Sequence, residues 1–144
     1  MRPRSIILFE RVYLTMIALA LTHSVIVWDD SVAMLDADPV LSDLGAAYLL
    51  FVLAASMAIN LLLWYFVVRR ASNVARWILV IFLVINLISV ALHVSAGAFP
   101  LDLPGVLDAL AMVLYLAATA LIFRRDASEW FERKGRMLDP DIFS

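Results

Sequence analysis

Apolar residues along this chain come in long unbroken runs. They show neither the alternation of a half-buried strand nor the single stripe of a surface helix. Four runs, at about 6–28, 45–68, 74–96 and 106–123, each reach the ~20 residues a helix needs to cross a ~30 Å hydrocarbon core. Continuous apolarity argues for helices over barrel strands, which alternate. The expected architecture is an all-α membrane protein: one domain over residues 1–144, built as a four-transmembrane-helix antiparallel bundle. A short C-terminal interfacial helix is expected at about 126–135.

Polar residues collect between the runs. In "WDDSVAMLDADPVLSDLG" there is room for a short helix capped by Ser31 over Val32–Leu35 and ended by Asp36 to Pro39. Ser42 or Asp43 would then cap the second run. "RRASNVARW" is so short that the second and third runs must be antiparallel neighbours. The prolines and glycines of "GAFPLDLPG" predict a compact non-helical turn. In "RRDASEWFERKGR", Asp126 with Glu129 three residues on has the spacing of a capping box. The closing residues "MLDPDIFS" read as a tail.

Composition strengthens this picture. Of the 144 residues, 65% are hydrophobic, and the mean hydropathy is +0.95. That leaves too little polar surface for a soluble domain. All 11 basic residues fall at one side of the expected bundle: Arg2, Arg4 and Arg11; Arg69, Arg70 and Arg76; Arg124, Arg125, Arg133, Lys134 and Arg136. The other two loops hold Asp29, Asp30, Asp36, Asp38, Asp43, Asp102 and Asp108. By the positive-inside rule both termini are expected in the cytoplasm, with the acidic loops outside. Arg69, Arg70, Arg76, Arg124, Arg125 and Trp130 are expected to anchor the inner interface. A basic start and Ala18-Leu19-Ala20 also fit a cleaved signal peptide, but the apolar run continues to Trp28, which favours an uncleaved first span. Glu10 and Arg11 would mark the inner interface, or else pair with Arg76 or a second subunit.

Candidate chemistry is sparse. With 4 glycines and no cysteine there is no phosphate loop, disulfide or thiolate metal site. The aspartates lack calcium-loop spacing, and no basic face suits nucleic acid. Carboxylates are expected in the loops and not in the span interiors. In lipid, helices meet through small residues and a few hydrogen bonds. Ala18 with Thr22, Ala20 with Ser24, Ala54 with Ala58, Ala91 with Ser95, and Ala117 beside Ala118 and Ala120 supply such small pairs. Two polar stripes mark expected contact faces: Ser56, Asn60 and Trp64 on the second span, and Asn86, Ser89 and His93 on the third. Asn60 and Asn86, near mid-span on neighbouring helices, are expected to bond to each other.

The 2 histidines, His23 and His93, lie at matched depth near the outer ends of their spans. They could act as axial ligands of a b-type haem, or orient a quinone. Otherwise each bonds to a nearby polar group or joins an outer titratable cluster with Asp29, Asp102 or Asp108. The leading expectation is a non-enzymatic integral membrane subunit. It would act through helix–helix assembly, either within a larger membrane complex or as a homo-oligomer, with lipid and other membrane subunits as its partners and no cofactor. A haem- or quinone-binding anchor is the alternative, and a small oligomeric channel or transporter the next.

The stretches "RPRSIILFER", "RRASNVARWILV" and "LIFRRDASEWF" resemble small four-span bacterial inner-membrane proteins of uncharacterised function. The resemblance implies a bacterial inner membrane and a four-helix unit. It carries no site residue with it.

Overall fold

In the computed structural model, residues 2–97 and 102–133 can be described; the tail and the middle of "GAFPLDLPG" lie outside them. The chain runs α1 (Arg4–Ile26), α2 (Trp28–Ala37), a 3₁₀ turn (Ser42–Leu44), α3 (Gly45–Arg70), α4 (Asn73–Ser95), α5 (Leu103–Ile122) and α6 (Arg125–Glu132). α1, α3, α4 and α5 are long and apolar enough to cross a membrane, as a multi-pass membrane protein requires.

The helix ends follow local chemistry, and several differ from expectation. α2 begins directly after Val27, so Ser31 is interior and its hydroxyl donates to the Val27 carbonyl at 2.8 Å. Ser31 is therefore not a cap. α3 starts at Gly45 with neither Ser42 nor Asp43 capping it, because the 3₁₀ turn carries the chain into the helix. α5 starts earlier than the apolar run. Asp102 accepts from the Gly105 amide at 3.0 Å, and Pro104 sits in the first turn, where its missing N–H costs nothing. Pro104 thus opens a helix where a turn was expected, and Asp108 lies inside α5. The α6 N-cap is Arg124, so no capping box forms there.

Antiparallel order is visible in the contacts. On α1, Ser5 meets Asp126 of α6, Tyr13 meets Tyr115 of α5, and Met16 shares a cavity with Met112 of α5. Along α4 and α5, Trp77 meets Phe123, Leu79 meets Tyr115, and Asn86 shares a cavity with Asp108. Each long helix touches two others, in the cyclic order α1, α3, α4, α5, and the α1–α5 seam is the most extensive. α3 turns into α4 through Ala71, whose φ of 45° and ψ of 44° are left-handed. The Ser72 amide returns to the Phe66 carbonyl at 3.1 Å, and the Ser72 hydroxyl caps α4 by accepting from Ala75.

Packing is concentrated at one end. Ile6, Phe9 and Tyr13 of α1, Val67 and Val68 of α3, Leu79 of α4 and Ala118 and Ile122 of α5 are buried together. α6 folds back beneath them, burying Ala127 and Phe131. Towards the other end the far halves of α3 and α4 bury nothing, although Gly105 of α5 is still buried there. In the most apolar stretch of each helix, 33% of α1 and 28% of α5 is buried, against 6% of α3 and 11% of α4.

Candidate functional site

The closed end is held by aromatic rings with anchored hydroxyls. Phe9 stacks on Tyr13 with ring centroids 5.1 Å apart, and Tyr13 meets Tyr115 edge-on at 6.1 Å. The Tyr115 hydroxyl donates to the Leu79 carbonyl at 3.1 Å, tying α5 to α4. The Tyr13 hydroxyl donates to Asn60 Oδ1 at 2.8 Å, tying α1 to α3. Asn60 therefore spends its carbonyl on Tyr13 and its amide on the Ser56 carbonyl at 2.9 Å, not on Asn86. Asn86 donates to Phe82 in its own helix at 2.8 Å. The expected Asn60–Asn86 bond is absent because α3 and α4 pack at the opposite end and diverge before reaching this level.

What the two asparagines share is a cavity of about 190 Å³ above the tyrosine layer. Asn60, Asn86, Asp108 and Tyr115 supply its polar wall, with Met16 and Met112 among its apolar neighbours. Asp108 is the carboxylate that sequence reasoning assigned to a loop. A signal was present: Asp108, Ala111, Met112 and Tyr115 recur at helical spacing and fall on one face. Among the described residues Asp108 makes no ion pair, and no group of three or more His, Cys, Asp or Glu side chains is placed to hold a metal ion.

The histidines lie elsewhere. His23 lines a separate cavity of about 260 Å³ with Ser24, Trp28, Ser31 and Ser56, between α1, α2 and α3. His93 is exposed on α4, and its Nδ1 donates to the Ser89 carbonyl at 2.8 Å. α1 and α4 are diagonal in the bundle, so the structure does not bring the two rings to one pocket. Ser56 donates to its own helix at Leu53, and Ser89 is exposed. The small pairs of α1 are spent similarly: Thr22 donates to Ala18 and Ser24 to Ala20.

The interface residues divide into two groups. Arg69, Arg70, Arg124 and Arg125 are exposed at the closed end. Arg76 is instead folded into it, with its guanidinium 3.9 Å from the Phe123 ring centroid and 5.2 Å from that of Phe131, and donates to the Ser128 hydroxyl at 3.3 Å. Glu10 pairs with Arg2 at 2.8 Å, not with Arg76. Trp64 and Trp130 pack against the core, and each keeps its indole N–H buried without a hydrogen-bond partner among the described residues. Asp126, expected as a cap, accepts from the Ser5 amide at 3.2 Å and so clamps α6 to α1. Desolvation pushes its carboxyl up, but hydrogen bonds from Ser5 and Ala127 together outweigh it and hold the group below the ordinary carboxylate value.

No protein-family model, curated protein or solved structure matches this chain.

Proposed function

We propose that this protein is a non-enzymatic multi-pass membrane subunit that works by helix–helix assembly through its open half. In this reading α1, α3, α4 and α5 span the bilayer. The closed end, where the arginines cluster, faces the cytoplasm. α6 lies at that interface, and the aspartate-bearing α2 and the start of α5 face outward. The membrane is the inner membrane of a bacterium, as the resemblance implies.

One observation carries the reading. The far half of α4 presents Asn86, Ser89 and His93 at helical spacing, all exposed, and Asn86 and His93 bond only to carbonyls of their own helix. Lipid can cover the isoleucines and leucines beside them but offers nothing to an amide or an imidazole. A facing helix, from a second copy or a larger complex, would supply those partners and cover α3 as well. Each such bond is worth about 0.6–2 kcal/mol.

The absence of cysteine gives a clean test. Ser89→Cys in native membranes, treated with a short thiol-reactive cross-linker, should yield one discrete adduct. Asn86→Ala with His93→Ala should weaken that adduct without reducing membrane insertion. Recovery of monomer alone, with the introduced thiol alkylated freely from the lipid phase, would rule the assembly reading out.

A further inference from the structure

We infer that the cavity between α1, α3, α4 and α5 is a binding site for a small monovalent organic cation, an alkylammonium ion, with Asp108 as its counter-charge. The inference does not depend on the assembly reading. It begins from the position of Asp108, in the second turn of a helix apolar enough to cross a membrane. Asp108 is exposed in the isolated chain and lines the cavity from within a span, where ionisable groups mark ligand or ion paths. Among the described residues no lysine, arginine or histidine lines the cavity, so none of them pairs with Asp108 there.

The rest of the lining narrows the ligand. At about 190 Å³ the space is far larger than a bare ion. At ~30 Å³ per water-sized group it has room for roughly half a dozen non-hydrogen atoms. A divalent metal takes six or more oxygen ligands, usually with several carboxylates; here one carboxylate stands among carboxamides and a phenol. Met16, Met112, Ala20 and Ala111 offer soft apolar walls suited to alkyl groups. Asn86 uses only its amide on its own helix, which leaves Oδ1 as an acceptor beside Asp108. The tyrosine layer closes the cavity on the other side, since Tyr13 and Tyr115 are both buried and hydrogen-bonded. One carboxylate, the Asn86 Oδ1 acceptor and walls of methionine and alanine form the complement of an ammonium group carrying small alkyl substituents.

The test is thermal unfolding of the full chain in detergent micelles, titrated with tetramethylammonium chloride and, at matched ionic strength, with sodium or potassium chloride. Tetramethylammonium should raise the transition temperature saturably, and the inorganic salts should not. Asp108→Asn should remove the effect, raising the apparent Kd at least tenfold, while Glu129→Gln on exposed α6 should bind as the unmodified protein does. Ala111→Leu fills the space without touching the charge and should also abolish the shift, so the inference stays exposed even if Asp108→Asn folds poorly. An equal shift with sodium or potassium would overturn it, as would a shift that survives both cavity variants, or no shift up to 100-fold molar excess.

Discussion

At the end where α6 docks, aromatic rings meet edge-on, their hydroxyls tie α1 to α3 and α5 to α4, and Phe9, Tyr13 and Leu79 are wholly buried. At the far end α3 and α4 present Phe51, Ile85, Ile88 and Leu92 to their surroundings, and Ser24, Ser56, Asn86 and His93 turn back on carbonyls of their own helices. The two halves are similarly apolar, so hydrophobicity does not separate them. Shape and hydrogen bonding do. One half solves its packing within the chain; the other leaves its polar groups to be satisfied by something else. A protein built this way has a rigid base and a receptive top, and the cavity lies at the boundary between them.

The largest expected contrast comes from truncating rings. Tyr13→Ala removes a buried ring, breaks the α1–α3 tie and leaves Asn60 Oδ1 without a donor, and should cost about 3 kcal/mol or more. Phe51→Ala, at a position 70% exposed, should cost less than about 0.5 kcal/mol in the isolated protein. Both can be read from reversible unfolding in mixed micelles. Similar losses at the two sites would erase the distinction between a closed and an open half.

A finer cut isolates the hydrogen bonds. Tyr115→Phe keeps the ring and removes only the donation to Leu79, so about 1 kcal/mol should be lost. Asn86→Ala, which breaks a bond within one helix, should leave the isolated chain within about 0.5 kcal/mol of the original. Any larger effect of Asn86→Ala should therefore appear only in native membranes, as loss of the adduct formed by the Ser89→Cys variant.

The long helices were legible in the sequence because length and apolarity suffice to define them. Their rotation was not. Helices apolar on nearly every side carry little information about which face turns inward. Asn60 and Asn86 were therefore placed on the right helices, yet the bond between them was wrongly expected. The tyrosine layer was missed for a related reason: a tyrosine inside a span declares that it needs a partner, but not which one. Asp108 already falls inside the apolar run at 106–123, and counting it with the loop aspartates overlooks this. The start of that helix is hidden for another reason, since Pro104 signals a turn in sequence but behind the Asp102 cap is a helix starter. His23 and His93 each lie in the last turn of a long helix, but position along a helix says nothing of which helices are diagonal.

A smaller effect tests how the base is clamped. The Asp126 carboxyl is held below its ordinary value, so its contribution to docking α6 is complete above the usual carboxylate range. That contribution should disappear as pH falls through the lowered folded-state value. Because the group is exposed, the change should be slight. Hydrogen exchange of the α6 amides should quicken on acidification, and Asp126→Asn should be quick at every pH. An acid response that persists in Asp126→Asn would assign the clamp to the packing of Ala127 and Phe131 instead.

The smallest effect is expected at the turn that closes the base. Ala71 holds a left-handed conformation that costs an L-residue about 1 kcal/mol and glycine almost nothing. Its side chain is nevertheless buried in the core where α3 meets α4, and a methyl there fills space that glycine would leave empty. Glycine would also loosen the unfolded chain by roughly 0.5–1 kcal/mol. These terms oppose one another at similar size, so Ala71→Gly should change stability by less than about 0.5 kcal/mol in either direction. A clear gain would mean that the closed end carries strain its packing does not offset. A clear loss would mean that even this single methyl is part of what makes the base rigid, which would deepen the contrast with the open half.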